Sequence, residues 1–458
     1  MLIWIEVFAT LLREIARALL VPLRLLLYLP ARHHWRRAAR EVLDTVAHET
    51  PPPVDEALAQ FFAKAAPVRG DRPHLFLSAG EASGEGHAER LLRALGDDVR
   101  CTAFGGHRLA AAGADVRVQL SEHAVMGVFG VFRQLPLILG AVASYLRVLR
   151  NDRPDLVVLV DYPGLHVVLA KLAKRRRIPV LHYVAPQYWA WGPWRMRRYR
   201  RAVDATLTIL PFETAFFRRF RIPAAYVGHP LLDGLASPPA IPAALARDDR
   251  PLLVLLPGSR KGEIGKNLPG LLRTAAAIRA AHGDLRVVLP HENPARTPLI
   301  SALLAAAGAV EVEHHSGPLG PWLDRARLVL AKSGTGSLAA CLHGAPTVIV
   351  YQLVGWLATL GYHNILSVPW IAAANLIAGH QVVPEHCFAG DDGWDRVRQS
   401  ALALWPDGPE RDAVLSDLAE VRRRLGEGGA TARTAAIVRR FLGLLPTSAP
   451  ARLEEAST

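Results

Sequence analysis

The stretch Asp155–Trp191, DLVVLVDYPGLHVVLAKLAKRRRIPVLHYVAPQYWAW, decides the fold. Its five apolar residues, Leu156 to Val160, are too few for a helix and rich in Val, as in a strand buried on both faces. The run stops at Asp161, and Pro163-Gly164 turn the chain into a helix. A second apolar strand, Pro179 to Ala185, opens onto Pro186, Trp189 and Trp191. Two parallel strands joined by a helical crossover make a βαβ unit, and such sheets bind ligands beyond the carboxyl ends of their strands. Asp161 sits at that mouth. From spacing alone it reads equally as a helix N-cap and as a catalytic carboxylate.

Upstream, a strand His74–Ala79 runs into Gly80-Glu81-Ala82-Ser83-Gly84-Glu85-Gly86 and then a helix. Bare amides at a helix start attract anions, and glycine lets a ligand approach the backbone. The pattern repeats at Phe104-Gly105-Gly106 with a helix over 107–113. Downstream, strand Ala205–Leu210, Pro211-Phe212-Glu213 and a strand ending at Gly228-His229-Pro230 close a first domain. Pro238-Pro239 and Pro242 mark a hinge, after which the pattern restarts. Strand Leu252–Leu256 meets Pro257-Gly258-Ser259-Arg260, whose guanidinium suits phosphate oxygens. Strand Leu285–Leu289 and a helix over 296–307 follow. A strand Leu328–Ala331 then meets Ser333-Gly334-Thr335-Gly336. Two such turns in one domain point to a nucleotide diphosphate. Strand Thr347–Tyr351, a polar turn holding Asn375, and helices over 395–405, 411–425 and 431–444 complete the second domain.

A chain of 458 residues, 51% hydrophobic, is long enough for two such domains. The net charge of +13 calls for an anionic partner: nucleic acid, anionic lipid or a phosphorylated substrate. Between Tyr162 and Val203 there are ten Lys and Arg and no acid, a run that reads as a solvated face or as a surface for phosphates. No nucleic-acid-binding motif accompanies it, so nucleic acid is not the expected partner. Three scattered cysteines, Cys101, Cys341 and Cys387, make neither a metal knuckle nor a disulfide framework and suit a reducing compartment. There is no D-x-D pair and no H-E-x-x-H, so no metal and no cofactor are expected.

Residues 1–30 are apolar but broken by charges, and Glu6, Arg13, Arg17 and Arg24 fall on one narrow helical stripe. No uncharged run reaches the roughly 18 residues of a spanning helix. Arg32, His33, His34, Arg36, Arg37 and Arg40 follow, so the segment reads as an interfacial membrane helix with a basic tail, or else as a helix packed on the protein's own surface. The stretch from Val125 to Phe132, with Met126-Gly127, Val128, Phe129 and Val131, is either buried or a lipid-facing patch.

GEASGE at 80–85, GG at 105–106, AVMG at 124–127, Asp161-Tyr162-Pro163, HYVAPQYWAW at 182–191, LPFE at 210–213, VGHPL at 227–231, LPGSR at 256–260, SGTGSL at 333–338 and NLIAG at 375–379 resemble the lipid-A-disaccharide synthase family. They stand in the family's order over residues 74–440. The resemblance implies an α/β GT-B glycosyltransferase: two Rossmann-like, doubly wound domains facing a cleft, here with an N-terminal amphipathic helical extension. It implies inverting transfer of a diacylated glucosamine from UDP to the 6-hydroxyl of a diacylglucosamine 1-phosphate, by a peripheral enzyme on the cytoplasmic face of the bacterial inner membrane. Asp161 matches the family's catalytic base. Gly258, Ser259, Arg260, Ser333, Gly334, Thr335, Gly336 and Asn375 fall on the UDP-sugar side. Gly80, Glu81, Ser83, Gly84, Glu85, Met126 and Gly127 fall on the acceptor side, and Val125, Val128, Phe129, Val131 and Phe132 on a membrane patch.

The organisation then expected is membrane-interface helices over 1–48, a linker over 49–73, an acceptor domain over 74–235, a UDP-sugar domain over 245–445 and a tail over 446–458. Two positions depart from the family's pattern. Glu85 stands where the motif ends in Asp, which bears on the acceptor side, and Ala339 stands where an acidic residue holds the ribose, so that contact is weakened or moved to another group. The departures, and an extension outside the common core, leave a paralogue with a different donor or lipid acceptor, or a non-catalytic binding relative, as alternatives. A UDP-sugar epimerase on the same fold needs an acid–base set that the chain does not display.

Overall fold

The computed structural model describes residues 2–46, 52–68, 70–121, 135–235, 242, 245, 248–308 and 311–444. They form two compact units. The first holds a seven-stranded, wholly parallel sheet in the order β3-β2-β1-β4-β5-β6-β7. Its strands are β1 His74–Ala79, β2 Arg100–Gly105, β3 Asp115–Gln119, β4 Leu156–Val160, β5 Val180–Tyr183, β6 Ala205–Thr208 and β7 Ala224–Tyr226. The five residues of β4 are all buried, as their continuous apolar character requires of a central parallel strand. β5 is shorter than the apolar run Pro179–Ala185, because Val184 has φ 58° and so leaves the β region. The order reverses between β1 and β4, which pair in register from Leu75↔Leu156 to Ala79↔Val160.

The second unit repeats the plan with six parallel strands in the order β10-β9-β8-β11-β12-β13. These are β8 Leu252–Leu256, β9 Arg286–His291, β10 Glu313–Ser316, β11 Ala326–Lys332, β12 Thr347–Leu353 and β13 Glu385–Ala389. Here the reversal lies between β8 and β11, paired up to Leu256↔Ala331. Crossovers of some twenty residues, such as helix Lys261–His282 between β8 and β9, make the parallel pairing possible.

Three boundaries differ from the sequence reading. Residues assigned to a linker fold instead: Val54–Ala57 and Ala59–Phe62 are helical, and Leu58 and Phe61 are fully buried in the first unit's core. The last helix, Ala430–Phe441, expected in the second domain, belongs to the first unit, because its apolar face (Ala435, Ile437, Val438, Phe441) packs into that same core. Phe441 stacks on Phe61 with centroids 4.3 Å apart. The N-terminal extension is two helices, α1 Leu2–Leu19 and α2 Val21–Val46, and the chain up to Ala31 goes with the first unit while Arg32–Glu49 goes with the second. Among the described residues no helix is long and apolar enough to cross a membrane.

Candidate active site

Because Ala79 and Val160 are register partners, the chain leaves β1 and β4 side by side at the switch point of the first sheet. Gly80 leads one loop and Asp161 the other. A side chain at Gly80 would overlap the Tyr162 ring, so only glycine admits this packing. On helix Ala82–Leu95, a Cβ at Gly84 would lie 3.7 Å from Asp161 Cβ. Burial, joined by the charge of Glu81 at that helix's N-cap, pushes the Tyr162 hydroxyl pKa up. Gly80, Glu81 and Gly84 therefore gather against the Asp161-Tyr162 turn.

The turn itself is strained. Asp161 has φ 54° and Tyr162 φ 46°, conformations that cost about 1–3 kcal/mol each outside glycine. Hydrogen bonds on both sides of Asp161 hold it. The Asp161 N–H donates to the Tyr183 carbonyl at 3.0 Å. Its carbonyl oxygen accepts from His166 Nδ1 at 2.7 Å and from His182 Nε2 at 2.9 Å. A carbonyl can only accept, so both imidazoles carry their proton on the facing nitrogen, and His166 Nε2 then accepts from Ser78 Oγ at 2.9 Å. Burial pushes His166 down to about 3 and His182 down to about 4, so both rings are neutral near pH 7. The N-cap of the following helix Pro163–Arg175 is Tyr162, not Asp161, and it makes no side-chain capping bond.

Beneath this turn Glu213 is buried and accepts from Trp189 Nε1 (3.1 Å) and from the N–H groups of Leu210 (3.1 Å) and Ile209 (3.2 Å). Burial, with a smaller contribution from the Asp161 charge, pushes its carboxyl up to about 7. Trp189 in turn packs edge-on against Phe212, 4.9 Å between centroids. The tryptophan-rich loop and the LPFE turn are thus one packed assembly.

In the second unit the loops after β8 and β11 start level with each other. Gly258 has φ 119°, and a Cβ there would lie 2.7 Å from Glu263. Glu263, in the first turn of helix Lys261–His282, accepts from the Ser259 and Arg260 N–H groups at 3.2 and 3.4 Å. It also pairs with the Arg260 guanidinium at 3.1 Å and with Lys332 Nζ at 3.1 Å. Burial pushes the Glu263 pKa up, but Lys332 and Arg260 outweigh it, and the net shift is downward. Lys332 closes β11 directly before Ser333, so one carboxylate ties both small-residue turns to two cations. Gly334 and Ser337 cap helix Thr335–Leu342: the Gly334 N–H donates to Ser337 Oγ at 3.1 Å.

Two of the expected site side chains are engaged within the fold. Asn375 is fully buried with its amide spent inside the fold: Nδ2 donates to the Val383 carbonyl and Glu385 Oε2, and Oδ1 accepts from the Val382 and Val383 N–H groups. It staples the turn before β13. Glu85 is likewise buried, and accepts from the Arg108 N–H at 3.0 Å, the Leu109 N–H at 3.3 Å and Ser121 Oγ at 2.5 Å. Its carboxylate accepts from the first turn of the helix His107–Ala111. Ala339 packs beside the apolar cluster of the second unit. Val125, Met126, Gly127, Val128, Phe129, Val131 and Phe132 lie outside the described residues.

The sequence reading missed Ser78, His166, His182, Glu213, Glu263 and Lys332. The two histidines stand in apolar runs, where a buried, satisfied ring is the ordinary outcome. Lys332 was legible as the only cation adjoining the SGTG turn. Among the described residues no three His, Cys, Asp or Glu side chains are placed to hold a metal ion.

A family model described as lipid-A-disaccharide synthetase matches residues 75–394. A lipid-A-disaccharide synthase of Myxococcus xanthus is 36% identical over 82% of this chain and 98% of its own length. One from Geobacter sulfurreducens is 34% identical over 81% of this chain and 97% of its own. In fold the chain is similar to the crystal structure of Acinetobacter baumannii MurG, with a TM-score of 0.51 at 15% identity over 81% of this chain and all of that one. With a GT-B architecture and a family match across both units, the chain belongs to the lipid-A-disaccharide synthetase family.

Proposed function

We propose that this glycosyltransferase joins UDP-2,3-diacylglucosamine to 2,3-diacylglucosamine 1-phosphate, giving the β-linked disaccharide 1-phosphate and UDP. The observation that carries the reading is a carboxylate-bearing residue, Asp161, held in a strained turn at the switch point of a sheet by two neutral imidazoles. Asp161 takes the proton of the acceptor 6-hydroxyl as that oxygen bonds to the anomeric carbon, and the bond from that carbon to UDP breaks. Attack opposite the leaving group inverts the centre. The leaving diphosphate meets the amides of Gly258, Ser259 and Gly334, with Arg260 and Lys332 supplying positive charge. Thr335 and Gly336 continue that cradle at the start of a helix. In the free protein Glu263 holds the Ser259 and Arg260 N–H groups, the Arg260 guanidinium and Lys332, and Ser337 Oγ holds the Gly334 N–H; the more highly charged diphosphate displaces both.

Both substrates are amphiphiles, so the enzyme works peripherally, at the cytoplasmic face of the inner membrane. Gly80, Glu81, Ser83 and Gly84 form the acceptor side next to Asp161, braced within the first unit by Glu85, while Asn375 braces the donor side within the second unit. The test is a single assay. Wild type in detergent, given both acylated sugars, yields the disaccharide 1-phosphate by mass, while Asp161→Asn binds UDP normally and yields almost none. UDP binding without product from wild type overturns the reading in favour of a different lipid acceptor.

A further inference from the structure

A water-soluble surface helix turns its apolar stripe inward and its charges outward. α1 does the reverse. Leu2, Ile5, Phe8, Leu12, Ile15 and Leu19 recur at the spacing of one helical face, and each is between 46 and 75% exposed. Of the fifteen exposed large hydrophobic side chains among the described residues, twelve lie between Leu2 and Leu27, so this is one continuous surface and not scattered exposure. The opposite face carries the acids and is fixed to the first unit by ion pairs. Glu6 receives both terminal nitrogens of Arg176, at 3.1 and 2.7 Å, and Glu14 pairs with Arg198 at 2.6 Å. Val7 and Thr10 are buried between these pairs. Arg176 and Arg198 belong to the acid-free run, so α1 supplies the missing counter-charges and is held in this orientation by them.

Cations border the apolar stripe at its N-terminal end and lie behind it. Arg147 and Arg150, on helix Leu135–Asn151, line a cleft together with Leu2, Ile3 and Trp4. Lys171 and Arg175 lie along the docked side of α1 within electrostatic range of Arg13 and Arg17. A partner for this face must accept a long apolar ridge and, at its border, offer negative charge. A protein interface the size of one helix supplies the first, whereas an anionic bilayer supplies both over an area of any extent.

We propose that α1 and the first turns of α2 form a docking face for an anionic phospholipid bilayer, with Phe8, Leu12 and Ile15 seated among the acyl chains and Arg147 and Arg150 on the headgroup phosphates. This element lies outside the matched family region at 75–394. It gives the reading of acylated substrates a geometry, and its primary readout is vesicle binding, with turnover as the control for folding. In flotation with phosphatidylcholine vesicles containing about one third phosphatidylglycerol, the full chain binds, and Phe8→Glu/Leu12→Glu/Ile15→Glu loses about tenfold or more of that binding. The milder Leu12→Ser/Ile15→Ser lies between them and guards against a misfolded triple variant. Arg147→Gln/Arg150→Gln reduces the preference over pure phosphatidylcholine. All three variants keep wild-type activity on detergent-dispersed substrates. Unchanged vesicle binding by the triple variant overturns the proposal. So does light scattering that shows wild type as a dimer which those substitutions split, because the face then belongs to a second copy of the chain. Vesicle binding lost with detergent activity intact upholds it whichever acylated sugar proves to be the substrate.

Discussion

His166 Nδ1 lies 2.7 Å from the carbonyl oxygen of Asp161, five residues earlier in the chain, and the contact fixes the backbone of the residue proposed as base instead of its carboxylate. His166 is therefore a positioning residue. Removing the ring leaves a left-handed Asp161 with one fewer restraint, and a misplacement of about 1 Å costs a reacting group on the order of a hundredfold. His166→Ala should lower kcat by about 10- to 100-fold and leave the KM for UDP-sugar almost unchanged. His166→Asn, whose Nδ2 can reach the same carbonyl, should recover part of the loss. A merely structural role moves Tm in both variants but gives no such rescue of kcat.

The same imidazoles make stability depend on pH. Their folded pKa values, about 3 for His166 and about 4 for His182, lie below the unfolded value of 6.5, so the unfolded chain takes up protons first. Stability is fully present above pH 6.5 and falls toward pH 4, at about 1.4 kcal/mol per pH unit for each ring. Glu213, raised to about 7 from 4.5, works in the opposite sense: its stabilisation is full below pH 4.5 and is lost as pH rises to 7. Two falling slopes against one rising slope leave a net loss over pH 6.5–4.5. Urea midpoints at pH 7, 6 and 5 should fall steadily, and a Glu213→Leu background should steepen the fall. A flat profile sinks the assignment of neutral buried histidines.

Gly80 and Gly84 lie on the same loop-to-helix turn but differ in room. A Cβ at Gly80 overlaps the Tyr162 ring, whereas one at Gly84 meets the Val160 carbonyl at 3.4 Å, an ordinary contact. Gly80→Ala must push Tyr162, and Asp161 with it, out of place. Activity should fall by an order of magnitude or more, since about 1 Å of displacement suffices. Gly84→Ala should keep most of it. Equal activities in the two variants dissociate Tyr162 from the chemistry.

Lys332 tests the charge balance of the diphosphate turns. It shares Glu263 with Arg260, so release of Glu263 exposes both cations together. A hydrogen bond to a charged group contributes about 1.5–3 kcal/mol, which corresponds to roughly 10- to 100-fold in affinity. Lys332→Met should weaken UDP binding by that factor in titration calorimetry. Uridine, which lacks the diphosphate, should bind the variant and wild type alike. A matched loss for uridine means that Lys332 shapes the pocket and does not meet phosphate.

Much of this was legible because strand-ending loops are written locally. Five apolar residues followed by Asp-Tyr-Pro, or by Pro-Gly-Ser-Arg, place a ligand turn at a strand's carboxyl end with no knowledge of the remaining chain. What escaped depends on distant pairing. The Glu85 carboxylate finds its partners at Ser121 and at the His107 helix, and no spacing rule connects 85 with 121. Helix Ala430–Phe441 follows a second-domain helix in sequence, yet its apolar face is matched by Phe61 and the first unit's core. The direction of α1 is the clearest instance. A helical wheel separates the charged stripe from the apolar one, but only the acid-free run 170 residues away shows which stripe the protein itself takes.

Asn375 separates a structural from a contact role. Its four hydrogen bonds, two to Val382 and Val383 amides, one to the Val383 carbonyl and one to Glu385, close the turn that delivers β13. Asn375→Leu is close in volume but leaves two buried N–H groups, a carbonyl and a carboxylate short of partners. Each orphaned group costs about 1–3 kcal/mol. The second unit should lose several kcal/mol, and Glu385, already raised by burial, should titrate higher still for want of a donor. Thermal melting should show a drop of several degrees, with UDP affinity at a temperature where the variant is folded within about threefold of wild type. A large loss of UDP-sugar affinity at unchanged Tm has the opposite meaning: Asn375 turns toward the donor when it binds, and its bonds to Val382 and Val383 are a resting arrangement.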